Sequence, residues 1–270
     1  MVTALGVPSG GVIVPLVTPL AADGSVSGPD VARLVAAVAG HVVALVPGLS
    51  TGEGWALDDD RWSAVVSHTL AHRRGLPVLA GTQRRTTAEV VARAAKAVAL
   101  GAAGVVVPTQ SGPGVTQREM YEHYVAVTAT VAAPVVVYHE SAVTGNLLDP
   151  ATLLRVCELE GVVAVKDSGG DPAATRALLA AAPPVAVWQG YEDLVAQTPG
   201  VDGCVLALAN LEPDLCARYL AGQAAAADLD AACARYRLTE PDWYRHVKAH
   251  LCRRGVISTA AAVTPVGEEP

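Results

Sequence analysis

Eight times along the chain a short, almost wholly apolar run is followed by a stretch with helical spacing, and this alternation constrains the fold more than any other feature. The apolar runs fall at 12–18, 42–46, 77–80, 104–107, 134–138, 162–166, 185–188 and 202–206. Runs this short, bounded by Gly and Pro, predict strands buried on both faces of a parallel sheet. The intervening segments predict helices over 29–40, 58–72, 86–100, 116–131, 149–159, 172–181 and 213–222, with a shorter one over 192–198. Pro29 just after Ser27 suits a first helical turn, and Gly101 suits a helix stop. Eight strand–helix units in series close a single α/β domain of the (β/α)8 TIM-barrel class, which the 270-residue length accommodates. Residues 1–222 are assigned to the barrel. Residues 223–270 are assigned to a C-terminal helical appendage packed on it, with two helices split near Pro241 and a polar tail. An open doubly wound sheet is the rival topology, but no GxGxxG turn follows any of the runs.

Charge and cysteine usage narrow the function classes. The net charge of −7, with no basic block, argues against a nucleic-acid partner. Gly, Pro or charge interrupts every apolar run before the roughly 18 residues a bilayer span needs, so no membrane partner is expected. The N-terminus lacks a basic flank and long apolar region. The five scattered cysteines, odd in number and without a CxxC pair, suggest reduced structural thiols in a cytoplasmic protein. His68/His72 and His246/His250 have the four-residue spacing of metal ligands. The first pair lacks the Glu of HExxH and neither pair falls at a strand end, so solvated helix faces are expected and no metal is assigned.

In a barrel, chemistry belongs at the carboxyl ends of the strands. Those ends carry Thr18, the turn Ser50-Thr51-Gly52-Glu53, Thr109 and Gln110, Tyr138 and His139, Lys166 followed by Asp167 and Ser168, then Gly190 and the Ala207 region. Of the three lysines, Lys96 and Lys248 sit in helical patterns with ordinary surface readings. Lys166 ends an apolar strand. Desolvation there lowers an amine's pKa, and a neutral lysine is a nucleophile able to form a Schiff base with a carbonyl. The competing reading is a snorkelling lysine paired with Asp167 or another carboxylate. Tyr138 ends the neighbouring strand, which puts a phenol within proton-transfer reach of the amine. The Ser50-Thr51-Gly52 turn offers two hydroxyls and several backbone N–H groups, a cradle suited to a carboxylate. Together these groups suggest a 2-oxo acid substrate. Glu53 reads either as a base or as a carboxylate that fixes its own loop. Asp193 reads either as a ligand for a substrate hydroxyl or as a cap.

These residues resemble the dihydrodipicolinate synthase / N-acetylneuraminate lyase family of class I aldolases. The likeness runs through GVIVPLVTPL at 11–20, LSTGE at 49–53, PVLAGT at 77–82, 134–138, Thr144-Gly145, VKDSGGD at 165–171, GCVLALAN at 203–210, and the late His246–His250 and Thr264-Pro265-Val266 stretches. The resemblance implies a Schiff-base lysine at Lys166 and a tyrosine proton relay at Tyr138, with Thr51 as a further relay member. It implies that Ser50, Thr51 and Gly52 hold the carboxylate of a 2-oxo acid, with backbone near Val205 lining the pocket. Ser168, Gly190 and His139 complete the expected substrate site. It also implies no cofactor, an aldehyde as second partner, and a homo-oligomer, tetramer or dimer.

The wording KDSGGD and ALAN is most like the 4-hydroxy-2-oxoglutarate and 2-keto-3-deoxy-sugar-acid aldolase branches. Dihydrodipicolinate synthases usually carry an arginine just before the Thr-Gly that follows the strand-five tyrosine, where this chain has Val143. Paired tyrosines after strand four are replaced by Thr109-Gln110-Ser111-Gly112-Pro113. The usual Asn after the tyrosine is His139, and the following Pro is Ser141. These departures argue against lysine biosynthesis and leave the relay ending at Thr51 or a water. The expected activity is cleavage or formation of a C3–C4 bond through a lysine imine. The same imine would serve a dehydratase or a condensing synthase, and the alternative of another class is a non-catalytic homologue that binds an oxo acid.

Overall fold

The computed structural model describes residues 6–263. The Thr264-Pro265-Val266 match and the polar tail expected at 267–270 lie outside the described residues. Eight strands form one wholly parallel sheet: β1 (Gly11–Pro15), β2 (Ala44–Val46), β3 (Leu79–Gly81), β4 (Gly104–Pro108), β5 (Val135–Glu140), β6 (Val162–Ser168), β7 (Ala186–Gln189) and β8 (Gly203–Val205). Their spatial order is β2-β1-β8-β7-β6-β5-β4-β3. The two ends of that order meet where Leu45 bridges Val78 in parallel and its N–H donates to the Pro77 carbonyl at 3.0 Å, so the sheet closes into a (β/α)8 barrel. Closure removes both sheet edges.

Side-chain alternation divides each strand between two cores. Ile13, Val106, Val136, Ala164, Trp188 and Val205 point inward and fill the barrel, while Val14, Val107, Val137, Val165, Val187 and Cys204 point outward against the helices. This double burial is why the strands read as continuous apolar runs. It also explains the Val content, because β-branched side chains pack well on a pleated surface.

The helices start where their capping residues dictate. Ser27 caps α1 (Gly28–Val38), and Asp58 caps α2 (Asp59–His72). Reciprocal capping boxes, Thr86 with Glu89 and Thr116 with Glu119, open α3 (Thr87–Leu100) and α4 (Gln117–Thr130). Proline occupies the first turn of α5 (Pro150–Cys157), α6 (Pro172–Ala180) and α7 (Pro213–Leu220). The helix expected over 192–198 is a 3₁₀ segment, Glu192–Gln197. The appendage comprises α8 (Ala226–Tyr236) and α9 (Trp243–Arg253) on either side of Pro241. Helix α8 packs against the Glu192–Gln197 segment and α9 against the 3₁₀ turn Ser50–Gly52, so the appendage leans over the carboxyl end of the barrel.

Two expectations need correction at this level. Lys248 is no surface residue: it is completely buried and ion-paired with Glu53. The polar look of α9 hides this, because the partner lies in the loop after β2. Strands β5 and β6 also run two residues past their apolar stretches, pairing Tyr138, His139 and Glu140 with Lys166, Asp167 and Ser168. All five cysteines are free thiols, four of them buried, and no helix among the described residues is long and apolar enough to cross a membrane.

Candidate active site

The in-register pairing of β5 with β6 decides the geometry of the site. Tyr138 and Lys166 are direct neighbours across the ladder, so their side chains leave the sheet on the same face. The Lys166 Nζ lies 3.8 Å from the centre of the Tyr138 ring and donates to the Ser168 hydroxyl at 2.8 Å. Burial lowers the Lys166 pKa to about 7, against the opposing pull of Glu140, Glu192 and Asp167. A substantial fraction of the amine is therefore neutral near pH 7. The Tyr138 hydroxyl sits 2.8 Å from the Ser50 hydroxyl. Burial, followed by the charge of Glu140, pushes the phenol well above its ordinary range, so it stays protonated.

These groups open into a cavity of about 520 Å³ at the carboxyl end of the barrel. Ser50, Thr51, Tyr138, Lys166, Ser168, Gly190 and Val205 all line it. Gly190 is required by contact: a Cβ there would fall 2.0 Å from the Ser168 Oγ and 3.0 Å from the Lys166 Nζ. Ala142 and Val143 form an apolar wall, and Leu238, Glu240 and Trp243 of the appendage cover the outer part.

Gly52 and His139, expected at the site, do not line this cavity, and Thr51 lines it without meeting the Tyr138 hydroxyl. The Gly52 N–H donates to Leu49 O at 2.9 Å and its carbonyl accepts from the Thr18 hydroxyl at 2.7 Å, so it shapes the turn from behind. Any Cβ at Gly52 would come 2.7 Å from the Leu16 carbonyl oxygen. Thr51 lines the cavity, yet Ser50 meets the Tyr138 hydroxyl. A 3₁₀ turn rotates about 120° per residue, which sends consecutive side chains apart, and the Thr51 hydroxyl instead accepts from the Trp243 indole at 3.4 Å.

His139 lies on the other face of β5 from Tyr138, as strand alternation requires. It borders a separate cavity between α5 and α6. Its Nδ1 is 3.0 Å from Asp167 Oδ1 and its Nε2 is 3.1 Å from the Leu148 carbonyl, so both ring nitrogens face oxygen acceptors. Asp167 also accepts from the Gly169 N–H at 3.1 Å and from the Thr175 hydroxyl at 2.6 Å. Burial pushes the Asp167 pKa up, but these bonds outweigh it and hold the group below the usual carboxylate range. Asp167 is thus committed to His139 and Thr175, which removes it as the pairing partner of Lys166.

Two buried acids escape a sequence reading. Glu140 and Glu192 are each raised by burial first, and each acts on Lys166. Glu140 is signalled only by the period of two from Tyr138. Glu192 lies in the connection after β7, where no periodicity points at it, and its Oε1 accepts the Leu208 N–H at 2.9 Å. Thr109 and Gln110 brace loops: Thr109 donates to Thr144 at 3.0 Å and Gln110 to Thr87 at 3.0 Å.

Among the described residues one trio brings potential metal-ligand atoms within 4.8 Å of one another: Glu240, Asp242 and His246. His250 is not part of it. The His246 Nε2 lies 3.2 Å from Asp242 and 3.4 Å from Glu240, whose carboxylate Arg237 also engages, so an ion-pair cluster accounts for the grouping. His72 is exposed on α2, and His68 packs beside Gly28.

A parallel eight-stranded barrel that presents a buried lysine and a tyrosine at the carboxyl ends of adjacent strands defines an enzyme of the class I aldolase type. Comparison with known proteins agrees. The chain matches the Dihydrodipicolinate synthetase family over residues 8–269 and belongs to that family. It is 30% identical over 227 residues to the 4-hydroxy-tetrahydrodipicolinate synthase of Methylococcus capsulatus, covering 81% of this chain and 78% of that one. It is 36% identical over 213 residues to an uncharacterized DapA-like lyase of Halobacterium salinarum, covering 76% and 69%. Its fold superposes with a TM-score of 0.87 on the dihydrodipicolinate synthase of Acinetobacter baumannii solved with pyruvate, at 27% identity over 97% of this chain and 94% of that one.

Proposed function

We propose that the chain is a pyruvate-type class I aldolase or lyase that works through a Schiff base on Lys166. The observation that carries this reading is the buried amine at the end of β6, with a pKa lowered to about 7 and a phenol ring 3.8 Å away. The neutral amine attacks the ketone of a 2-oxo acid. Tyr138, coupled to Ser50, moves the proton that lets the carbinolamine lose water. The imine then serves as the electron sink for C3–C4 cleavage, releasing an aldehyde and leaving an enamine that is protonated and hydrolysed to the oxo acid. Ser50 and Thr51 are the groups proposed to seat the substrate carboxylate. The cavity of about 520 Å³ exceeds what pyruvate alone occupies and leaves room for the aldehyde-derived portion.

Borohydride trapping with pyruvate, read by peptide mass spectrometry, tests the reading. A reduced adduct on Lys166 that depends on pyruvate is expected. Absence of an adduct with pyruvate and with a panel of larger 2-oxo acids would overturn it. Once the adduct is in hand, product analysis with a panel of aldehydes separates cleavage and condensation from dehydration.

A further inference from the structure

The Schiff-base reading leaves one buried group in the site without a task. Glu140 lies two residues beyond Tyr138 on β5, so its side chain leaves the sheet on the same face, and its ladder partner on β6 is Ser168, the hydroxyl that accepts from Lys166. It is 1% exposed. Its Oε2 accepts the Val143 N–H at 2.9 Å, while its Oε1 is buried with no hydrogen-bond partner among the described residues. A buried ionised carboxylate with an empty oxygen is costly, whereas a carboxylic acid meets the same surroundings at much lower cost. Of the charged side chains around Lys166, Glu140 exerts the strongest pull on the amine.

We propose that Glu140 holds the proton consumed in imine formation and then becomes the counter-anion of the iminium. The step balances without any outside acid. A neutral amine, a ketone and a carboxylic acid become a protonated imine, one water and a carboxylate. The C–N bond forms, the carbinolamine C–O bond breaks, and the acid proton leaves with the departing hydroxyl. Glu140 does not line the cavity, although Ala142 and Val143 just after it do. It is therefore a positioning residue, set beside Tyr138 and Ser168 by the strand register rather than touching substrate, and the proposal requires its proton to reach the departing hydroxyl through them. This inference rests on the proposed lysine imine.

The groups that share its environment support the exchange. Lys166 faces it from β6, Tyr138 from its own strand, and Tyr191 and Glu192 from the connection after β7. Tyr124 of α4 also feels its charge, but that hydroxyl is committed to the Val107 carbonyl at 3.0 Å. The His139–Asp167 pair lies on the opposite face of the strands. Burial raises both Glu140 and Glu192 and lowers the amine they face, so each charge in the site is held at a cost. Converting the amine to a permanent cation lowers that cost for Glu140, since an opposite charge close by favours the ionised carboxylate.

Glu140→Gln separates the proposal from a structural role, because its amide carbonyl still accepts the Val143 N–H. With pyruvate and borohydride, the wild type is expected to trap at a rate that rises as Lys166 loses its proton and falls as Glu140 loses its own. E140Q is expected to trap about 100-fold more slowly and to lack the alkaline fall. Infrared difference spectra of the wild type supply a readout that requires no variant. A protonated-carboxyl carbonyl band is expected in the free protein, lost on imine formation, and absent from E140Q. Trapping by E140Q at the wild-type rate with an unchanged pH profile would overturn the proposal, as would a carboxyl band that survives imine formation. No adduct on wild-type Lys166 would overturn the imine reading itself, and this inference with it.

Discussion

Lys248 and Glu53 form an ion pair in which both side chains are fully buried, although 195 residues separate them. Lys248 also donates to the Ala261 carbonyl at 2.8 Å, and the second Glu53 oxygen accepts the Val263 N–H at 2.7 Å. Glu53 adopts a left-handed backbone (φ 58°) directly after the Ser50–Gly52 turn. The pair therefore bolts the turn that faces the cavity to the helix that covers it. Glu53 fixes its loop, as one of the two sequence readings holds, but does so largely through a partner that the sequence hides.

Removing one partner strands a buried charge. Lys248→Met should cost about 3–5 kcal/mol of stability in urea unfolding and weaken pyruvate affinity in the same variant. Replacing both partners with apolar residues should restore most of the stability, since a well-packed apolar pair is often as stable as a buried ion pair. It should not restore the affinity, because the turn loses its anchor. A double variant no more stable than the single would show that the pair does more than neutralise its own burial.

The Ser50–Tyr138 hydrogen bond predicts non-additive kinetics. Ser50→Ala and Tyr138→Phe should each slow pyruvate trapping on Lys166 by about 10²-fold. The double variant should be little slower than the worse single, because the two hydroxyls act as one relay. Thr51→Val should leave the trapping rate nearly unchanged and act on substrate affinity. Equal losses for Thr51→Val and Ser50→Ala would contradict the assignment of the relay to Ser50.

The barrel and the central pair of the site were legible because they depend on local rules. Strands buried on both faces must be apolar throughout, capping boxes mark helix starts, and residues at corresponding ends of adjacent parallel strands become neighbours. Tyr138 and Lys166 follow from those rules. Glu140 does not, since β5 and β6 continue into polar residues that lack any strand signature. That Ser50 rather than Thr51 meets the Tyr138 hydroxyl depends on the 3₁₀ geometry of three residues, which no period reveals. His139 is legible as a strand-end residue, but the alternation of β5 turns it away from the Tyr138 face and towards a separate cavity. Lys248 required knowledge of a contact across almost the whole chain.

The lowered pKa of Lys166 predicts a cost in stability with a defined pH window. An unfolded lysine keeps a pKa near 10.4, whereas the folded value is about 7. Between those values the unfolded chain binds more protons, so this residue makes stability rise with pH. Below the window both states are protonated and the full cost of the buried cation is present. Above it both are neutral and the cost is gone. Lys166→Met should therefore stabilise the fold at pH 7, with a gain that shrinks towards pH 10. Thermal melting of both proteins across that range checks it, and a gain independent of pH would mean that the amine is not strained by burial.

Val143 predicts which aldehydes the site rejects. With Ala142 it forms an apolar wall of the cavity, at the position where dihydrodipicolinate synthases usually carry an arginine. An aldehyde bearing its own carboxylate would meet that wall with Glu192, Asp193 and Glu240 also at the cavity surface, and would lose hydration without gaining a cation. Neutral aldehydes should therefore be the better substrates. Val143→Arg supplies the missing donor, and the backbone N–H that Val143 gives to Glu140 is retained. A charge-assisted hydrogen bond contributes about 1.5–3 kcal/mol, so kcat/KM for a carboxylate-bearing aldehyde should rise roughly tenfold or more, with little gain for a neutral one. An equal effect on both would mean that the substituent does not reach the β5–α5 loop, and the acidic residues across the cavity would then be the next to vary.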